Sequence, residues 1–149
     1  MRLLFMALAI SLGGVVVAGQ AIGAPMPSYR VVDGGIPIAL TDLPGDAMRG
    51  REIASNRQVG MCQLCHQVPA SNDRFQGDIA TSLAGAGSRW TASQLRLRMV
   101  DSRRVNADSV MPAYFKVDAL HRVGATWRDQ PILNAQQVED VVAWLVSLK

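Results

Sequence analysis

The sequence has few of the residues that usually cross-link or anchor a small domain. It contains only two cysteines and two histidines among 149 residues, and 5% of its residues are aromatic. A structural zinc site that used both cysteines would need two more ligands, and the only histidines are His66 and His121. Lysine occurs only at positions 116 and 149, and the formal net charge is +3. A strongly basic, nucleic-acid-binding surface is therefore not indicated.

No apolar run reaches the length of about 20 residues that a membrane-spanning helix needs. The longest run, Leu3 to Ala18, follows the single charge of Arg2 and precedes a stretch of small residues. This order of charge, apolar run and small residues is typical of a secretory signal peptide. We predict a signal peptide over residues 1–24, cleaved between Gly19 and Ala24, and a periplasmic protein without a membrane anchor.

Both cysteines lie in one five-residue motif, Cys62-Gln63-Leu64-Cys65-His66. The C-x-x-C-H pattern is typical of c-type haem attachment. Each thiol can form a thioether with one haem vinyl group, and His66 then follows as an axial ligand of the iron. A redox dithiol also uses C-x-x-C, but the sequence after the motif lacks the α/β pattern of such proteins. We predict one covalent haem c, held by Cys62 and Cys65 and ligated by His66.

Helical patterns dominate the rest of the chain, and strand patterns are nearly absent. Residues 25–44 contain four prolines and Gly34-Gly35, which predicts an irregular N-terminal arm. Residues 45–149 form the predicted haem domain, with three to four helices around the cofactor and an all-α fold. Capping residues predict helix starts at Asp46, at Thr91 and at Asn134. Gly50 on the first helix and Trp144 on the last are a candidate close helix crossing.

A haem that transfers electrons needs a second axial ligand on its iron, and the candidates lie after the motif. Met111 lies in an apolar loop beside Pro112, where a thioether can reach the iron without unwinding a helix. Met99 falls on the buried stripe of the second predicted helix, where packing is the simpler interpretation. His121, the alternative for a bis-histidine site, lies beside Arg122 without an apolar periodic context. We predict Met111 as the ligand, with Met99 and His121 as alternatives.

Arg89 and Trp90 precede the second predicted helix and are candidate contacts of the haem propionates. A guanidinium and an indole N–H are suitable donors to a buried carboxylate. The alternative interpretation is an arginine on the surface and a tryptophan that only packs.

The order of elements resembles that of the class I cytochromes c: helix, C-x-x-C-H, glycine-rich loop, helix, Met-Pro loop and amphipathic terminal helix. Within that class the chain closely resembles the SoxX family, the cytochrome subunits of SoxXA sulfur-oxidation complexes. The matching runs are residues 60–66, 77–79, 87–90, 110–115 and 131–142. One departure concerns the proline that usually follows the first loop glycine. Here Ala80-Thr81 occupies that stretch, so the sequence does not identify the group that forms the hydrogen bond orienting His66.

This resemblance implies a His/Met haem and a heterodimer with a larger SoxA-type cytochrome. It also implies that the complex, of the L-cysteine S-thiosulfotransferase type, joins thiosulfate to a cysteine of a SoxYZ-type carrier and passes electrons to a downstream cytochrome. Sulfur transfer needs a reactive thiolate, and this chain has no third cysteine. We therefore expect it to accept electrons and to have no independent catalytic site.

Two other functions would use the same cofactor. A freestanding soluble shuttle to an oxidase would use the same haem chemistry without a permanent partner. A haem enzyme or gas sensor would need an open distal site, which Met111 is placed to close.

Overall fold

The computed structural model describes residues 26–149, and the predicted signal peptide lies outside them. In this part of the chain four α-helices form: α1 (Ala47–Ser55), α2 (Ala86–Arg89), α3 (Ala92–Val100) and α4 (Ala135–Ser147). Within residues 26–149 no strand forms, and the β-structure is limited to one isolated bridge between Val32 and Gly35. The all-α prediction is confirmed. None of the helices in this part of the chain is long and apolar enough to cross a membrane.

The three predicted helix starts are confirmed by their capping hydrogen bonds. The Asp46 carboxylate accepts from the amides of Met48 and Arg49 at the start of α1. Thr91 and Asn134 each form a capping box, with Gln94 and Gln137 respectively. Each of these side chains satisfies backbone N–H groups that have no partner inside the helix. The local sequence is therefore sufficient to begin each helix.

Helices α1 and α4 cross so closely that the contact requires glycine. A Cβ atom at Gly50 would lie 2.0 Å from the Asp140 carbonyl oxygen and 2.9 Å from the Trp144 Cβ atom. A Cβ atom at Gly45 would lie 2.2 Å from the Glu139 carbonyl oxygen. The predicted crossing of Gly50 and Trp144 is confirmed. It joins the first helix to the last.

The N-terminal arm packs against α3 and α4 through a buried ion pair. Arg96 Nε lies 2.7 Å from Glu139 Oε1, and both side chains are less than a tenth exposed. Arg96 Nη1 also donates to the Ile36 carbonyl oxygen at 2.6 Å, and Glu139 Oε1 accepts from the Leu40 amide at 2.9 Å. Ile36 and Leu40 are themselves buried. The arm is thus fixed to the domain by both charges of the pair.

Candidate cofactor site

All six residues predicted from the sequence to hold the cofactor line one cavity of about 800 Å³. They are Cys62, Cys65, His66, Arg89, Trp90 and Met111. Most of the other lining side chains are apolar and come from the loop after the motif, α3, the Met111 loop and α4. This volume falls within the range of roughly 300–1,000 Å³ that is usual for small-molecule and cofactor sites. The fold therefore brings together residues up to 49 positions apart in the chain.

The two cysteines are carried by a tight turn. Residues Cys62–Leu64 form one 3-10 turn, and the His66 amide donates to the Cys62 carbonyl oxygen at 2.9 Å. Cys62 is buried and Cys65 is partly exposed, and no disulfide joins them. Burial raises the pKa of the Cys62 thiol to about 11, so it is protonated at neutral pH. The turn thus presents two separate thiols to the cavity, with an imidazole directly after them.

The imidazole of His66 is oriented by a backbone carbonyl. Its Nδ1 atom lies 2.6 Å from the Thr81 carbonyl oxygen. Because a carbonyl oxygen can only accept, Nδ1 carries the proton and Nε2 keeps its lone pair. This is the tautomer that a metal-ligating histidine needs. Ala80-Thr81 occupies the stretch in which the class I cytochromes c usually have a proline. The Thr81 carbonyl nevertheless accepts the hydrogen bond that orients His66.

Thr81 reaches this place because the following loop runs along the motif. The amides of Gly77, Ala80 and Leu83 donate to the carbonyl oxygens of Gln63, Cys65 and Gln67, at 2.8 to 3.0 Å. A Cβ atom at residue 77 would lie 2.1 Å from the Leu64 carbonyl oxygen, so only glycine fits there. These bonds involve main-chain atoms only, so residue identities give little indication of the pairing.

The candidates for the second axial ligand separate by position. His121 is exposed and lies outside the cavity, whereas Met61, Met99 and Met111 all line it. Met61 directly precedes Cys62 and so belongs to the segment that carries His66. Met99 is 2% exposed and lies within α3, in the hydrophobic core. Met111 is half-buried in a loop, and its carbonyl oxygen accepts a 2.7 Å hydrogen bond from the Ser102 hydroxyl.

Arg98 is a cavity-lining residue that the sequence reasoning missed. Its guanidinium carbon lies 3.7 Å from the centre of the Trp90 ring, a cation–π contact. It takes part in none of the ion pairs formed among residues 26–149, and burial lowers its pKa. Arg98 donates one hydrogen bond, to the Gln94 carbonyl oxygen at 3.1 Å, whereas Arg89 donates two, to the carbonyl oxygens of Ala84 and Ser82 at 2.6 and 2.9 Å. Arg98 lies one helical turn after the buried Leu95, and this spacing could have indicated from the sequence that it shares a face with the cavity.

Comparison with known families decides the class of this site. The family model for cytochrome c matches residues 47–149. The chain belongs to the cytochrome c family. No curated protein sequence gives a significant match. Among solved structures, the cytochrome is similar to a chain of SoxXA from P. pantotrophus, with 41% identity, 81% of this chain and 94% of that chain covered, and a TM-score of 0.76.

These findings confirm the resemblance to the SoxX family and the class I cytochrome c fold. They also confirm the predicted cofactor, because cytochromes c carry covalently bound haem c, and this cytochrome has a single C-x-x-C-H motif. The residues present fit that group: two separate thiols, an imidazole with its Nε2 lone pair free, a thioether and a guanidinium that pairs with no carboxylate of residues 26–149 all line one apolar cavity.

Proposed function

We propose that this cytochrome is the monohaem electron-transfer subunit of a periplasmic thiosulfate-oxidising complex of the SoxXA type. The observation that carries the proposal is the 41% identity over 94% of a chain in a SoxXA crystal structure. A SoxA-type cytochrome would be its permanent partner, and a SoxYZ-type carrier would bind transiently. A freestanding shuttle to an oxidase is the alternative, and no contact in residues 26–149 favours it.

Four side chains would hold the haem. Cys62 and Cys65 would form the thioethers, His66 would ligate the iron through Nε2, and Met111 would ligate it through its sulfur. Met111 is favoured over Met99 because it is half-buried beside the cavity, whereas Met99 is packed in the core. A haem held in this way would supply one-electron oxidation and reduction. The Thr81 carbonyl would keep the His66 ring in place during that change.

The division of labour with the partner follows from the cysteine count. Both cysteines of this chain would be thioethers, so no thiol remains that could carry a persulfide. The bond between sulfur and a carrier cysteine would therefore form on the SoxA-type subunit. This chain would receive the electrons from that subunit and pass them to a downstream acceptor cytochrome.

Three residues are proposed to contact the haem propionates. The Arg98 guanidinium has no carboxylate partner among the described residues, 26–149, and Trp90 lies against it. Arg89 lines the same cavity and keeps free N–H groups beyond its two bonds to carbonyl oxygens. A carboxylate beside Arg98 would offset the burial of that charge.

Replacing Arg98 with leucine should lower the haem midpoint potential, because a positive charge beside the haem favours the reduced state. We expect a shift on the order of 30 mV, which is about threefold in the one-electron equilibrium constant. Potentiometric titration of the purified holoprotein measures it. Arg128→Leu removes the same charge from an exposed position outside the cavity and is the matched control. Equal shifts in both variants would contradict a specific propionate contact.

The proposed function is tested by purification of the protein from its native periplasm, followed by haem staining of the separated chains. We expect a second, larger haem-containing chain in constant ratio to this one, and thiosulfate-dependent reduction of the haem in the purified complex. Isolation of this cytochrome as a monomer without a haem-containing partner would favour the shuttle. Its absence from the periplasmic fraction would contradict export.

A further inference from the structure

The loop that carries Met111, residues 110–116, is fixed to the end of α3. After Met111 in the chain, the Tyr114 amide donates to the Met99 carbonyl oxygen at 3.0 Å. The Lys116 ammonium also lies 3.1 Å from Asp101 Oδ2. At Met111 itself, two serine hydroxyls contact the backbone. The Ser102 hydroxyl contacts the Met111 carbonyl oxygen, and the Ser109 hydroxyl contacts the Met111 amide. The position of Met111 itself therefore depends on these hydroxyls.

The two serines differ in how firmly they hold the loop. The Ser102 hydroxyl donates to the Met111 carbonyl oxygen at 2.7 Å, and Ser102 is only 5% exposed. The Ser109 hydroxyl accepts from the Met111 amide at a longer 3.3 Å. Ser102 belongs to the 3-10 turn Ser102–Arg104 directly after α3, whereas Ser109 directly precedes the Met111 loop and lies in no helix. Only the Ser102 bond therefore ties Met111 to a regular element of the fold.

We propose that Ser102 is the positioning residue for the Met111 thioether, and that it keeps this sulfur at the haem iron. The inference rests on the proposed role of Met111 as axial ligand. Pro112 follows Met111 and has no N–H, so its amide cannot tie the loop down there. With the Met111 carbonyl fixed by Ser102 and the next φ angle fixed by the proline ring, the Met111 backbone has little freedom to swing away from the cavity. Loss of the hydroxyl frees that backbone while the haem and the other ligand stay unchanged.

The test measures how readily an external ligand displaces the thioether. Imidazole is titrated into ferric holoprotein and its apparent affinity is read from the absorption spectrum. An external ligand binds only when the Met111 loop is open, so its apparent affinity scales with the open fraction. Ser102→Ala should raise the imidazole affinity about three- to tenfold, the range expected for one hydrogen bond. Alanine is smaller than serine, so the buried turn accommodates the variant.

Thr41→Val is the matched control, because it also removes a hydroxyl that donates outside the cavity, where it lies 2.8 Å from Gln136 Oε1 and 3.1 Å from the Leu43 carbonyl oxygen. Its imidazole affinity should equal that of the unmodified protein. A further comparison places Ser102→Ala in a Met111→Ala background, where it should have no effect on imidazole affinity. The inference is overturned by an unchanged affinity in Ser102→Ala, by an equal rise in Thr41→Val, or by a persisting rise in the Met111→Ala background.

Failure of the ligand assignment has a different signature. If Met111→Ala alone left the imidazole affinity unchanged, Met111 would not be the axial ligand, and the inference about Ser102 would fall with it. If Met111→Ala raised the affinity and Ser102→Ala did not, the ligand assignment would stand and only the positioning role would be lost.

Discussion

Replacing Met111 with alanine is expected to open the sixth coordination position of the haem iron and to lower its midpoint potential. A thioether ligand favours the ferrous state, so its loss favours the ferric state. We expect a decrease on the order of 0.1 V, a fraction of the roughly 0.8 V over which axial ligands set haem potentials. Potentiometric titration measures the decrease. CO-difference spectra should show that the variant binds CO readily, whereas the unmodified protein does not.

The cavity offers a matched control in Met99. Met111→Leu and Met99→Leu each remove one thioether while nearly conserving side-chain volume, so that changes in packing stay small. Only Met111→Leu should bind CO and show a lower haem midpoint potential. If Met99→Leu showed these changes instead, the axial ligand would be the core methionine on α3. Ready binding of CO to the unmodified protein would contradict a six-coordinate iron and would favour a haem enzyme or gas sensor.

The parts of the site that could be predicted from the sequence are those in which chemistry depends on residue type. Thioether formation needs cysteine, haem-iron ligation uses a small set of side chains that includes histidine and methionine, and a helix start favours a capping side chain such as Asn134. Each of these requirements leaves a recognisable residue at a recognisable spacing. The same is true of Gly50, where helix packing leaves no room for a Cβ atom.

The parts that could not be predicted depend on main-chain atoms or on contacts between distant segments. The carbonyl that orients His66 belongs to Thr81, but any residue at that position would supply the same atom. Ser102 acts on a carbonyl oxygen nine positions away, without a characteristic spacing. Arg96 is charged and lies on α3, but Leu95, Leu97 and Met99 on the same helix are buried too, so Arg96 meets Glu139 inside the protein. Charged residues at helical spacing usually face solvent, and only the tertiary fold shows this exception.

Replacing Glu139 with leucine should be the most destabilising of the changes considered. It leaves the Arg96 guanidinium buried without its counter-charge and removes the acceptor of the Leu40 amide. Breaking a buried pair by removing one partner costs about 3–5 kcal/mol, a large part of the stability of a domain of this size. Guanidinium chloride unfolding of the holoprotein, followed by far-ultraviolet circular dichroism, measures the loss. The N-terminal arm should also become more susceptible to proteases, because both of its anchors depend on this pair.

The double variant Arg96→Met/Glu139→Leu separates the charge from the anchoring. Replacing both partners removes the uncompensated charge, so the double variant should be more stable than Glu139→Leu alone. It should remain below the unmodified protein, because the Ile36 carbonyl and the Leu40 amide both lose a hydrogen-bond partner. Glu52→Leu, on the exposed face of α1, should change the free energy of unfolding by no more than about 0.5 kcal/mol. A double variant as unstable as Glu139→Leu would show that the arm's hydrogen bonds, and not the buried charge, account for the loss.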